Sequence, residues 1–193
     1  MNTGLQDEWN LVWKLDLVLK GRGNTRLLES YTAERRPVIK HVIETTHFMT
    51  KALGTPNKLA QVPRDAIIPM FSRLAPFQHA FIQRLSELGV TYSGSPIVEG
   101  TGKRYFDESL RGGNGIRSRF LLMLDDNAGS SSAENAKQFA RNFGDLVELR
   151  LESRHDGEVT LVRPDGYIAY SAPLAHGSRT WESVESVLNA QTT

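Results

Sequence analysis

The 193-residue chain contains no cysteine, so disulfides, zinc–thiolate sites and dithiol redox chemistry are excluded. It also has no apolar run that reaches the roughly 18–20 residues of a membrane span. Neither sign of charge is in excess, because 23 basic and 22 acidic side chains leave a net charge of +1. This balance gives no support for nucleic acid or an anionic membrane as a partner. With no basic signal-peptide region at its start, the chain is expected to be cytoplasmic.

The first predicted helix covers residues 5–20 and has apolar side chains around most of its circumference. Thr3 with Gln6 fits a capping box at its start, and Gly21 fits the C′ position after its end. A helix that is apolar on nearly all sides favours burial against more protein than a small domain supplies. Because this helix starts so close to Met1, we expect the chain to begin at an internal position of a longer protein.

A second, longer helix is predicted over residues 25–52, where apolar residues keep roughly helical spacing. Pro37 lies within it and is expected to kink it or divide it in two. A connecting loop over 53–68 and a third helix over 76–88 follow. The pattern then breaks up in a glycine-rich stretch, and we interpret residues 96–117 as a linker at a domain boundary.

The remaining residues predict a small α/β domain. An apolar run indicates a buried strand, strict apolar–polar alternation indicates a half-buried strand, and Asp165-Gly166 indicates a tight hairpin turn. The expected elements are a strand at 120–124, a loop at 129–132, a helix at 133–143, a strand at 147–151, a hairpin of 159–163 with 167–171, and a helix at 180–190. This order suits a thioredoxin-like sandwich that lacks the usual dithiol. The predicted organisation is therefore a helical portion at 1–95, the linker, and this domain at 118–193.

Three blocks of residues, far apart in the chain, carry a family resemblance. The first is Met1-Asn2-Thr3-Gly4-Leu5-Gln6-Asp7 with Asn10-Leu11 and Trp13-Lys14-Leu15, the second is Tyr31-Thr32-Ala33-Glu34-Arg35-Arg36-Pro37, and the third is Leu161-Val162-Arg163-Pro164-Asp165-Gly166-Tyr167. In this order they resemble blocks of the class A flavoprotein monooxygenases, the para-hydroxybenzoate and phenol hydroxylase family. The third is similar to a hairpin of members that carry a thioredoxin-like C-terminal domain.

The resemblance implies a mixed α+β and α/β chain: an N-terminal helical portion of a flavin monooxygenase followed by a thioredoxin-like domain. It implies an enzyme that uses FAD and NAD(P)H to hydroxylate an aromatic, phenolic small molecule. Carried over from the family, Met1, Asn2 and Thr3 are expected to contact the pyrimidine edge of the flavin, with Gly4 allowing close approach. Unpaired amides and the helix dipole at a helix start suit negative charge on a reduced flavin.

Parts of the family pattern are missing from the chain. It has neither the glycine-rich dinucleotide fingerprint nor the family's Gly-Asp block for the ribityl chain, and Glu8-Trp9 stands where the family commonly has Ala-His. We therefore expect this chain alone to hold FAD weakly and to be inactive. Its expected partner is a missing N-terminal half or a second copy of itself.

Other patterns favour ordinary structural roles. The glycine-rich segment 111–117 lacks the strand–loop–helix context of a phosphate loop and is interpreted as flexible. Glu34, Arg35 and Arg36 are interpreted as a solvated or interdomain ion-pair cluster. The five histidines lack metal-binding spacing, and no nucleophile elbow occurs. The alternative to a hydroxylase is a non-enzymatic truncated protein or an interaction or dimerisation module.

Overall fold

The computed structural model describes residues 2–53, 89–105, 118–153, 157–174 and 177–192. Its helices and strands, in chain order, are α1 (Asn2–Leu19), α2 (Arg26–Leu53), β1 (Phe120–Asp125), α3 (Ser130–Phe143), β2 (Val147–Glu152), β3 (Glu158–Val162), β4 (Ile168–Pro173) and α4 (Ser178–Asn189). Within these described ranges, no helix has the length and apolar character to cross a membrane. The loop predicted at 53–68, the helix predicted at 76–88 and the segment 111–117 lie outside the described residues, apart from Leu53.

The two ends of α1 give opposite outcomes for the predicted caps. Because Asn2 already belongs to the helix, Thr3 lies inside it, so the predicted capping box is wrong. At the other end, Gly21 has φ +65° and its N–H donates to the carbonyl of Val18 at 3.0 Å. The N–H of Arg22 donates to the carbonyl of Leu17 at 2.9 Å, which completes a Schellman motif. The predicted C′ glycine is confirmed, since only glycine adopts this positive φ without strain.

Two opposite faces account for the apolar circumference of α1. One face is buried and consists of Asn10, Trp13, Lys14 and Leu17, at spacings of three and four residues. The other is an exposed apolar face, which we define as Leu5, Trp9, Val12 and Leu19, with exposed fractions of 59%, 45%, 60% and 82%. The described residues therefore cover only half of a helix whose sequence favours burial on nearly all sides.

The second helix passes through Pro37 as one continuous element, so of the two predicted outcomes the division is wrong, whereas the kink stays a prediction. Pro37 cannot donate to the carbonyl of Ala33, but both residues are exposed, which reduces the penalty for the missing hydrogen bond. At the start of the helix, the Asn24 side chain accepts from the N–H of Arg26 at 2.7 Å, as an N-cap residue does. Its buried face, which includes Leu27 and Glu34, packs against α1.

The four strands form one sheet in the order β2-β1-β3-β4. β1 and β2 run parallel and are joined by α3, whereas β3 is antiparallel to both of its neighbours. The predicted hairpin turn is confirmed: the N–H of Gly166 donates to the carbonyl of Arg163 at 2.9 Å, and Gly166 has φ +80°. The helix α3 begins at Ser130, so the loop predicted at 129–132 is shorter than expected.

One hydrophobic core joins the helical portion to the sheet. Trp13 of α1 meets Phe120 of β1 edge-to-face, with ring centroids 5.8 Å apart. The same core contains residues of α2, α3 and α4, among them Leu27, Phe139 and Leu188. The helical portion and the α/β portion therefore do not bury separate cores, and their division into two domains stays a prediction.

Where a linker is predicted, residues 96–105 pair with the hairpin. The N–H of Glu99 donates to the carbonyl of Ala169 at 2.8 Å, and the N–H of Tyr105 donates to the carbonyl of Gly166 at 2.8 Å. Just upstream, the Tyr92 side chain is buried. This segment thus lies between α2 and the hairpin, and it brings further side chains to the place where they meet.

Candidate functional site

Four charged side chains meet in the interior between the helices and the hairpin. Lys14 comes from α1, Glu34 from α2, and Arg163 and Asp165 from the turn between β3 and β4. Their side chains are 0–1% exposed. We call these four residues the buried charge cluster. Its two positive and two negative charges cancel, which is the condition under which burial of ions is tolerated.

Arg163 is the centre of the buried charge cluster. Its guanidinium donates to both carboxylate oxygens of Glu34, at 2.6 and 3.0 Å, and to both of Asp165, at 3.0 and 2.5 Å. The Lys14 ammonium binds the same Glu34 carboxylate at 2.8 Å. The planar fork of arginine suits two bidentate carboxylates at once, which a lysine ammonium cannot match.

Neutral side chains complete the hydrogen bonds of the cluster. Asn10 donates to Glu34 at 2.7 Å, and Ser95, from the segment after residue 89, donates to the same carboxylate at 2.5 Å. The Lys14 ammonium also donates to the hydroxyl of Ser30 at 2.9 Å. Glu34 therefore accepts from donors on α1, the 89–105 segment and the hairpin, so its carboxylate joins every element around it.

Aromatic rings enclose the guanidinium of Arg163. Its central carbon lies 5.3 Å from the Trp13 ring centroid, 5.1 Å from that of Tyr92 and 6.0 Å from that of Tyr167. The two tyrosine rings pack against each other with centroids 4.3 Å apart. These contacts remove water from the charged group and add cation–π attraction.

Burial and the neighbouring charges determine the pKa values of Glu34 and Lys14. Burial alone would raise the pKa of Glu34, but the charges and hydrogen bonds of Arg163 and Lys14 outweigh it and hold the pKa at about 2. Burial, together with the nearby Arg163, lowers the pKa of Lys14 to about 8. The carboxylate of Glu34 is thus ionised at neutral pH and saturated with donors. It lacks the near-neutral pKa and the access of a general base, so the cluster is suited to positioning and not to proton transfer.

A second polar contact set holds the start of α1. The Arg35 guanidinium donates to the Asp7 carboxylate at 2.5 Å, to the carbonyl of Thr3 at 3.3 Å and to the hydroxyl of Tyr92 at 3.0 Å. Arg35 is 1% exposed, and burial raises the pKa of Tyr92. The first two turns of α1 are therefore tied to α2 and to a ring that packs on the hairpin.

The predicted flavin contacts lie at this same helix start. Met1 and the side chain of Asn2 are outside the described residues, and Thr3 is half-buried. Gly4 is exposed, and a Cβ added to it would meet no atom of the described residues within 4 Å. In an α-helix, the N–H groups of the first turn point towards the helix start. The position therefore has room for a side chain, and the flavin contacts of Met1, Asn2, Thr3 and Gly4 stay predictions. The described residues contain no group of three His, Cys, Asp or Glu side chains able to hold a metal ion.

The three sequence blocks meet in the buried charge cluster and its surroundings. Of the two interpretations left open for Glu34, Arg35 and Arg36, solvation is wrong for the first two, which are buried and ion-paired, whereas Arg36 is exposed. Sequence reasoning missed the two cationic partners of Glu34, which are Lys14 and Arg163. A signal for Lys14 was available, because it lies on the Trp13–Leu17 face at helical spacing.

One family model matches the start of the chain. Residues 1–46 match the sequence model of the FAD binding domain family. This segment contains all of α1 and the first three quarters of α2. The chain thus shares its N-terminal portion with proteins that bind FAD, as the first two blocks predict.

Named relatives extend the similarity to most of the chain. The chain is 27% identical over 214 aligned residues to 6-methylpretetramide 4-monooxygenase from Streptomyces rimosus, covering 88% of this chain and 38% of that protein. It is 31% identical over 103 residues to 3-(3-hydroxy-phenyl)propionate/3-hydroxycinnamic acid hydroxylase from Escherichia coli, covering 53% of this chain and 19% of that protein. Among solved structures, the anhydrotetracycline hydroxylase OxyS from Streptomyces rimosus matches with a TM-score of 0.71 and 25% identity, over 98% of this chain and 40% of that one.

These comparisons support the family of FAD-dependent aromatic hydroxylases, the one that the three blocks resemble. The mixed α/β architecture, with helices and a four-stranded sheet, is consistent with a part of such a flavin monooxygenase. The chain spans about two fifths of the length of the first relative and of the solved structure, at 38% and 40%.

Proposed function

We propose that the chain is the C-terminal part of an FAD-dependent monooxygenase that hydroxylates an aromatic, phenolic small molecule with NAD(P)H as co-substrate. The observation that carries the proposal is the match of residues 1–46 to the FAD binding domain family, a segment that begins with the helix start and its exposed Gly4. The similarity to aromatic hydroxylases along most of the chain supports the reaction class.

The proposed role of the chain is to hold one edge of the flavin ring. FAD, when bound, supplies the redox chemistry that activates dioxygen. The backbone amides of Met1, Asn2 and Thr3 donate to the ring edge, and Gly4 lets the ring approach because no side chain intervenes. The positive end of the α1 dipole stabilises negative charge that develops on the ring. The remaining cofactor contacts and most of the substrate pocket belong to an N-terminal half, which also covers the exposed apolar face of α1.

We also propose that residues 118–193 form a thioredoxin-like domain without cysteine. The support is the strand order β2-β1-β3-β4, with a parallel βαβ unit followed by an antiparallel hairpin and α4. In this chain, residues 153–157 connect β2 to β3. The proposed role of this domain is to support the helices and not to perform thiol chemistry.

Riboflavin and FAD, added separately to the chain, test the flavin site. We expect both to shift the amide resonances of residues 2–7 with similar weak affinities, because only the ring is held. Gly4→Val adds a side chain into open space and is expected to abolish the shifts. Ala33→Val adds the same side chain at another exposed helix position and serves as the matched control. Shifts that survive in Gly4→Val, or that are absent from the original chain, contradict the proposed flavin contacts.

An interaction module is the second candidate function, and the exposed apolar face of α1 favours it. If copies of the chain pair through this face, sedimentation at rising concentration will show a dimer that Trp9→Lys dissolves. Ile43→Lys, at a 62% exposed position on α2, is the control for the added charge. A monomer at all concentrations rejects self-pairing.

A further inference from the structure

We infer that Arg163 and Asp165, on the β3–β4 turn, are positioning residues that fix the start of α1 relative to the hairpin. The inference rests on the proposed function in one respect: the amides that this contact would set in place are the flavin-facing ones. Neither residue touches the proposed flavin edge, so both act through other side chains.

The first route runs through Glu34. Arg163 binds both oxygens of this carboxylate, and the same carboxylate accepts from Asn10 at 2.7 Å and Lys14 at 2.8 Å, both on α1. Asp165 accepts directly from Asn10 at 3.4 Å. A shift of the hairpin therefore breaks charge-assisted hydrogen bonds to the middle turns of α1.

The second route runs through the aromatic pair. Tyr167 follows the hairpin turn and packs its ring on Tyr92 at 4.3 Å. The hydroxyl of Tyr92 accepts from Arg35 at 3.0 Å, and Arg35 in turn binds Asp7 and the carbonyl of Thr3. This route ends one residue before Gly4.

The two routes together hold one stripe of α1. Thr3, Asp7, Asn10 and Lys14 are spaced by four, three and four residues, so they lie one above the other along the helix. Each of the first four turns of α1 thus has a directional polar contact on this stripe. Apolar packing tolerates small sliding movements, whereas hydrogen bonds of charged groups lose their energy when distance and angle change.

Amide hydrogen exchange on the whole chain tests the inference with a charge-neutral change. The double variant Arg163→Met/Asp165→Asn removes one charge of each sign and leaves the Lys14–Glu34 pair, so the cluster stays neutral. The control Arg22→Gln breaks the Arg22–Asp145 pair, which also joins the turn after α1 to the α/β portion but whose side chains are 33% and 67% exposed.

We expect the double variant to speed exchange of the Gln6–Leu11 amides about tenfold or more, while β1 amides change less than about twofold. Arg163→Lys, which keeps the charge but lacks the fork, should fall between the double variant and the original chain. The control should change neither region. The inference is overturned if the α1 amides exchange at the original rate, or if β1 amides accelerate by the same factor as α1.

Riboflavin added to the same variants separates this inference from the proposed function. The shifts at residues 2–7 should weaken in the double variant and persist in the Arg22→Gln control. If riboflavin shifts nothing in the original chain, the flavin proposal fails, whereas the exchange result still decides whether the hairpin positions α1. If the shifts remain at full strength in the double variant, the link from hairpin to flavin edge is rejected.

Discussion

Replacing Glu34 with glutamine is the sharpest perturbation of the buried charge cluster. Glutamine has nearly the same shape, but its neutral amide leaves Lys14 and Arg163 with Asp165 as their single counter-charge. Removing one partner of a buried ion pair costs about 3–5 kcal/mol, because the remaining charge is uncompensated. We expect Glu34→Gln to lower the free energy of unfolding by about 3 kcal/mol at pH 7.

The pKa of Glu34 gives an independent magnitude. It lies at about 2 in the folded chain, against 4.5 ordinarily, and at about 1.4 kcal/mol per pH unit this difference corresponds to about 3 kcal/mol. Because the folded pKa is the lower one, the unfolded chain binds the proton first as pH falls. The stability that ionised Glu34 contributes is therefore present above pH 4.5 and is lost as pH falls towards 2. The variant has no such proton, so its deficit should shrink by about 2 kcal/mol between pH 5 and 3.

Urea unfolding followed by circular dichroism at pH 7, 5, 4 and 3 measures this difference. The matched control is Glu44→Gln on the same helix, since the Glu44 side chain is 64% exposed and pairs with Lys40 at the surface. We expect the control to stay within about 0.5 kcal/mol of the original chain at every pH. A Glu34→Gln deficit that is below about 0.5 kcal/mol, or that does not change between pH 5 and 3, would refute the reasoning.

Three further substitutions follow from the same contacts. Since the pKa of Lys14 is about 8 when folded and 10.5 ordinarily, the unfolded chain holds the extra proton between these values. The free energy of unfolding should then rise by about 2 kcal/mol from pH 8 to 10 in the original chain, and Lys14→Met should abolish this rise in urea titrations. Gly102→Ala should destabilise by about 2 kcal/mol or more, because its Cβ would lie 2.5 Å from the Tyr92 carbonyl carbon at a φ of +55°; Gly94→Ala, at a position without positive φ where a Cβ would meet no atom of the described residues within 4 Å, gives the comparison in thermal unfolding. Phe120→Ala should cost about 3–5 kcal/mol by urea unfolding, since the ring is fully buried in the core.

Local signals in the sequence predicted most of the α/β portion. The Asp165-Gly166 turn was predictable because glycine accepts the positive φ that the turn requires, and the structure has it at +80°. The Phe120–Asp125 strand was predictable because a strand that is buried on both faces has a continuous apolar sequence. All six of its residues are buried, and all but Asp125 are apolar. Both signals depend on residues that are neighbours in the chain.

Tertiary contacts explain what the sequence reasoning missed. Glu34 and Arg163 are 129 residues apart, so no local pattern could show that they pair. Glu34 and Arg35 therefore allowed a solvated interpretation, because charged residues are rarely buried unless paired. Pro37 does not divide α2, because the position is exposed and the missing hydrogen bond at Ala33 therefore costs little.

The composition of the buried charge cluster indicates that the cluster positions α1 and is not explained by stability alone. Replacing buried ion pairs with apolar residues of similar volume is often neutral or stabilising, so stability alone does not account for four buried charges. An apolar interface would also tolerate a displaced α1. In this cluster, a displacement of α1 by one helical turn would move Asn10 and Lys14 by about 5 Å along the helix axis, which would break their hydrogen bonds to the carboxylate of Glu34. We infer above that the hairpin holds α1 in one position, and the proposed contact between the first amides of α1 and a flavin edge requires that restriction.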